Sequence, residues 1–291
     1  MTLLLFLIPI SASSLPLTET LYIIPDEEIN VQLQQHFYHN NSSINRMDTF
    51  VLGFGLFSDL SLWISFDVIH GGPWFHDNDR VGDTSFYIKW AIGDFFKDTL
   101  HIGYFLKFKI PTGSNQYTIA DWRNMSAGIN QITTGVLVKY DLRHFFFHFN
   151  LFYVFQEEAG KNFYNGFHFN PLDQNFYTNI IGFNLFSENA FLYYENLKND
   201  YVEISLAINT DYLYPFIPFV ELKWSVRLYR GLVDATGIAV KGGDADPLEL
   251  SFGANFFILP ELRLGAYGVF TLIPVDGYTD IKWGFDVSLQ F

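Results

Sequence analysis

The stretch IKWGFDVSLQF (281–291) alternates apolar and polar side chains without interruption. Ile281, Trp283, Phe285, Val287, Leu289 and Phe291 fall on one face, and Lys282, Gly284, Asp286, Ser288 and Gln290 on the other. A period of two belongs to a β-strand with one apolar wall and one polar wall. A helix would scatter both sets. The same alternation runs through LSLWISFDV (60–68), HIGYFLKFKI (101–110), YVEISLAIN (201–209), FVELKWSVRL (219–228) and LELSFGANF (248–256).

Connections between these runs fall into two alternating classes. Short ones lie at Ser58-Asp59, Gly93 to Asp98, Asp141 to Arg143, Ser187 to Asn189, Tyr212 to Pro218 and Leu259-Pro260. Longer, polar ones lie near 38–47, 70–80, 111–128, 157–173, 229–246 and 273–278, with a tight one near Asn199-Asp200. Strands of about ten residues, with short turns on one side and long loops on the other, are the pattern of a transmembrane antiparallel up-and-down β-barrel. The pattern predicts about fourteen strands, or twelve if the stretch 186–200 contributes none. A secreted β-sandwich also alternates, but its unequal loops need not sort by side, so the barrel is the expected fold.

Composition agrees. Hydrophobic residues make up 49% of the 291, with 33 Phe and 17 Tyr, yet beyond the N-terminus no apolar run approaches the roughly 20 residues of a membrane helix. A formal charge of −14 argues against nucleic acid as a partner, because phosphate binding needs clustered Lys and Arg. The absence of cysteine excludes disulfides and thiol nucleophiles.

At the N-terminus, Leu3 to Ile10 form a short apolar core followed by Ser11, Ala12, Ser13 and Ser14. This predicts a secretory signal over 1–14, although no Lys or Arg precedes the core. A short periplasmic segment is expected over 15–28, able to act as a hatch but too short for a plug domain, and the barrel over 29–291. The last strand must close against the first, since an open edge in lipid leaves backbone groups unpaired at several kcal/mol each.

Alternation assigns the charged residues to the lumen: Asp83, Lys89, Lys107, Lys109, Lys139, Glu203, Glu221, Lys223, Arg227, Glu249, Arg263, Lys282 and Asp286. They would form either a charged constriction that sorts solutes or a set of salt bridges bracing the interior. Lys89, Lys107 and Lys109 lie on two strands joined by one turn, and are expected to cluster.

GDTSFYIKW (82–90), followed by a turn and a strand ending in KIPTG, resembles the family of outer-membrane transporter barrels associated with phenol meta-degradation. Gly82, Asp83, Lys89, Pro111, Thr112 and Gly113 hold the matching positions, and the likeness covers about residues 48–117. It implies a transporter barrel but no particular substrate. The terminal Phe291 resembles the signal read by the bacterial barrel-assembly machinery. Fourteen strands would also match channels of the long-chain fatty acid type, and the aromatic loop 157–174 could grip an apolar solute or rest on lipid headgroups.

Other chemistry is weakly represented. HFYHNNSSINR (36–46) sets His39, Ser42, Ser43 and Asn45 close together. It lacks the order of the outer-membrane phospholipase, and a nucleophile needs a base and an orienting group. His36 and His39 fall on opposite faces of a strand, a poor metal pair. Asp77, Asp79, Asp244 and Asp246 lack the spacing of a calcium loop. No catalytic residue, metal or cofactor is expected. The sequence therefore predicts a bacterial outer-membrane channel or transporter for small or hydrophobic molecules, acting by passive diffusion. The alternatives are a barrel without transport and a lipid-modifying enzyme. Expected partners are outer-membrane lipids, the assembly machinery and a small-molecule solute.

Overall fold

In the computed structural model the alternating segments are strands, because only in an extended chain do all their apolar side chains reach one side. It describes residues 15–40, 43–70, 80–96, 99–110, 112, 130–156, 200–228, 246–273 and 281–291. The strands are β1 (Ile29–Asn40), β2 (Ser43–Phe57), β3 (Leu60–His70), β4 (Arg80–Phe95), β5 (Leu100–Ile110) and β6 (Gln131–Leu142). They continue with β7 (Phe145–Gln156), β8 (Tyr201–Thr210), β9 (Phe216–Arg227), β10 (Leu248–Phe257), β11 (Leu262–Ile273) and β12 (Ile281–Gln290).

Each strand pairs antiparallel with its sequence neighbours, and β1 pairs with β12, so twelve strands form a closed barrel. The count is twelve rather than fourteen because β7 pairs directly with β8, from Phe145↔Thr210 to Val154↔Tyr201. At the same rim, the loop expected over 38–47 gives way to a close strand connection, with Asn40 opposite Ser43. Strands that run past the hydrocarbon can continue with polar residues, so polarity there does not mark a loop.

The seam runs from Asn30↔Gln290 to His39↔Ile281. It is extended by Ile29 N–H to the Phe291 carbonyl at 2.8 Å and Phe291 N–H to the Ile29 carbonyl at 3.0 Å. Phe37 of β1 stacks on Trp283 of β12 with ring centroids 4.0 Å apart. Pairs such as Phe50–Phe66 and Phe252–Phe270 stack across neighbouring strands elsewhere. The apolar wall faces outward: Phe252 is 51% exposed and Val220 53%. A closed sheet with an apolar outer belt satisfies every ladder hydrogen bond internally, which is the condition for spanning a bilayer with strands.

Polar residues of the strands point the other way and are buried in the interior, among them Ser61, Ser205, Ser251 and Asn255. This orientation makes a definite expectation. Phe252→Arg places a cation in hydrocarbon at a cost of about 2–4 kcal/mol near the midplane, and should lower the heat-modifiable barrel recovered from outer membranes. Gln131→Arg, beside the lumen cavity, should assemble normally. Equal recovery of the two variants would contradict the outward assignment.

Candidate functional site

The chain does not leave the barrel at the start of β1. Residues 15–28 turn back and thread through the lumen, where Leu15, Thr18, Leu21, Tyr22 and Ile24 are buried. Leu21, Tyr22 and Ile24 pack with inward side chains of β2 to β7: Val51, Trp63, Tyr87, Phe105, Leu137 and Phe152. Leu15 reaches Ala207 and Phe219 on the far wall, with Tyr267 beside them.

Glycine makes room for this path. A Cβ on Gly55 would overlap the Pro25 carbonyl oxygen, and one on Gly103 would overlap Leu21 Cδ1. Both positions lie on the inner wall, where any larger residue would push the segment away.

Polar contacts fix the segment as well. Lys89 Nζ pairs with Glu19 at 2.9 Å and donates to the Thr20 carbonyl at 3.1 Å. Asn150 donates to the Glu19 carbonyl at 2.9 Å, and Leu17 N–H donates to the Glu221 carboxylate at 3.0 Å. At the short-turn end, the Tyr22 hydroxyl bonds to Gln290, whose amide reaches Glu28.

The charged residues assigned to the lumen meet one another. Lys109 pairs with Asp83 at 3.3 Å, Lys223 with Glu203 at 2.7 Å and Lys282 with Glu249 at 2.9 Å. Arg263 and Asp286, 4% and 3% exposed, pair at 2.8 Å. Lys139 pairs with Asp141 at 2.8 Å. Stripping one partner from a buried pair costs about 3–5 kcal/mol, so these contacts hold the barrel wall in shape. The side chain of Arg227 lies outside the described residues.

Lys107 differs. It forms no ion pair among the described residues, and its Nζ sits 5.6 Å from the centre of the Tyr87 ring. Lys89 Nζ lies 5.9 Å from the same ring, so these two lysines do share one neighbourhood, while Lys109 is drawn to Asp83. Motif residues of β4 and just past the end of β5 also converge: the Thr112 hydroxyl is 3.4 Å from the Gly82 carbonyl and 2.7 Å from the Thr84 hydroxyl. Pro111 and Gly113 fall outside the described residues.

Two cavities that share lining residues remain beside the segment, of about 170 Å³ and about 310 Å³. Gln34, His36, Thr49, Ser65 and Lys107 border both. The charges here sit on alternating strand positions, whereas the other half of the site comes from the threaded segment. Glu19 belongs to no strand, and its meeting with Lys89 is a long-range contact. Asn30, Gln32, Gln34 and His36 form a polar row in INVQLQQH that alternation does display.

Among the described residues no cluster of His, Asp or Glu could hold a metal ion. His36 is engaged by the Tyr267 hydroxyl. The side chains of His39, Ser42, Ser43 and Asn45, together with Asp77, Asp79 and Asp244, residues 1–14 and the loop 157–174, lie outside the described residues; Asp246 is described next to β10.

No protein-family model and no curated protein matches this sequence. Solved structures do match. An outer-membrane channel from Pseudomonas putida F1 is similar at a TM-score of 0.59 and 12% identity, over 93% of this chain and 97% of that one. The NanC porin matches at 0.55 and 8% identity, over 89% of this chain and 98% of the other. The KdgM porin matches at 0.51 and 6% identity, over 90% and 99%. At such identities the likeness is one of fold, and the fold is that of outer-membrane porins and channels.

Because the chain has no cysteine, Leu21→Cys provides a unique probe of the threaded segment. It should react slowly with a membrane-impermeant maleimide. Adding Glu19→Arg, which sets a cation against the buried Lys89 in place of its partner, should speed labelling by about fivefold or more, the factor that roughly 1 kcal/mol of lost pairing at a partly exposed site gives. Fast labelling without the second change would mean the segment does not rest in the lumen.

Proposed function

We propose that the protein is a channel of the bacterial outer membrane that passes small, water-soluble molecules by passive diffusion. The observation that carries this reading is the lumen cavity of about 310 Å³ beside the threaded segment. Its rim is mainly polar, which favours hydrated solutes over the hydrophobic molecules that the aromatic-rich sequence also allows. The neighbours' names, an outer-membrane channel and two porins, support the same class of activity. Membership of the barrels associated with phenol meta-degradation belongs to this proposal, supported by the meeting of Gly82 with Thr112 and of Asp83 with Lys109. The proposal extends to the seam, where the backbone-paired, outward Phe291 serves as the signal for the barrel-assembly machinery.

Lys107 is the charge best suited to act on a passing ion, because its neighbours in the lumen are already paired. A charge in a narrow passage with low-dielectric walls focuses its field on whatever enters. A second reading, an occluded barrel without transport, is favoured by one observation: the segment fills the lumen between β2 and β7.

Reversal potentials in a salt gradient separate the two. Lys107→Glu should shift selectivity toward cations while the barrel keeps its heat-modifiable migration. A barrel that inserts but carries no current in either form would favour the occluded reading.

A further inference from the structure

The inner face of β1 carries Asn30, Gln32, Gln34 and His36 at alternate positions, all turned toward the cavity beside the threaded segment. Their amides form a directional chain. Gln34 Nε2 donates to Gln32 Oε1 at 3.3 Å, and Gln32 Nε2 donates to Asn30 Oδ1 at 2.8 Å. Asn30 Nδ2 in turn donates to Ser288 Oγ at 3.2 Å. An amide has two N–H donors and a carbonyl with two lone pairs, so Gln32 and Gln34 keep donor and acceptor capacity after bonding their neighbours, while Asn30, buried and bonded to both Gln32 and Ser288, anchors the end of the row.

The space beside this row is lined by further hydroxyl groups, with Lys107 the cation there that forms no ion pair among the described residues. Thr18 and Thr20 lie on the segment, and Thr49 and Ser65 on adjoining strands. The ions that border the same space are mostly tied up, Lys89 by Glu19 and Arg263 by Asp286. A solute moving along β1 therefore meets closely spaced, uncharged donors and acceptors, one set every second residue along the strand.

From this arrangement we infer that the β1 amide row is a sliding track for hydroxyl-rich solutes, sugars and polyols, which exchange hydrogen bonds from one amide to the next. The inference rests on the channel reading above and narrows its substrate class. Hydroxyl groups both donate and accept, so a polyol can replace its lost water bonds at every step. An apolar solute would leave the amides unsatisfied, at a cost of the kind that makes polar sites reject groups lacking hydrogen bonds. Neighbouring amides also hold each other in place, which spares the ordering cost of binding.

The test uses the full-length barrel purified from outer membranes and reconstituted in liposomes, with swelling in isosmotic arabinose beside conductance in potassium chloride. Wild-type protein should admit arabinose and carry ions. The double variant Gln32→Leu, Gln34→Leu should slow arabinose by about fivefold, the factor one net hydrogen bond is worth, with a smaller change in ion conductance. Unchanged arabinose swelling in the variant would overturn the track. So would a parallel loss of arabinose and ion flux, which marks simple narrowing, or a wild-type barrel that conducts ions yet excludes arabinose. If wild-type protein passes neither arabinose nor ions while migrating as a folded barrel, the channel reading itself falls and the track with it.

Discussion

The structure depends on one constraint: backbone groups facing hydrocarbon have no water to bond, so the sheet must have no edge. The seam between β1 and β12 meets it, carried past the strand ends by the paired carbonyls and amides of Ile29 and Phe291. Closure also decides where every side chain goes. Once the register is set, a one-residue slip would turn each apolar residue inward and each charge into lipid. Phe37 stacked on Trp283 across the seam adds a packing contact that only one register allows.

Closure leaves an interior that must be filled, and this chain fills part of it with its own residues. The segment 15–28 lies against a cluster of aromatic and aliphatic side chains on one side, while the opposite side keeps a polar row and open volume. The division is unequal in chemistry as well as in space. Apolar packing and the Glu19–Lys89 pair hold the segment, whereas the amides of Gln32 and Gln34 on β1 border the open volume. A lumen so divided is narrower than its strand number suggests, and its contents rather than its circumference set what passes.

Much of this was legible in the sequence, because a barrel's period of two writes inside and outside into alternate letters. The strands around Ile64, Lys107, Trp224 and Asp286 follow directly from it, and so does the inward turn of Lys109, Glu249 and Arg263. Strand number was less legible. Residues 186–200 alternate well enough to suggest strands, but alternation cannot report pairing, and β7 pairs directly with β8. Least legible was the fate of 15–28. LPLTETLYIIPDEE carries no strict period, and its place depends on Gly55 and Gly103 clearing space in walls far along the chain. Glycine in a strand signals a close approach but not what approaches.

The central claim, that solutes travel through a lumen narrowed by residues 15–28, is tested most directly by single-channel recording in planar bilayers. The full-length barrel should give small, uniform conductance steps, and a barrel lacking residues 15–24 but keeping residues 1–14 should give clearly larger ones. Steps of equal size from the two proteins would contradict the account, as would silence from both when each migrates as a folded barrel.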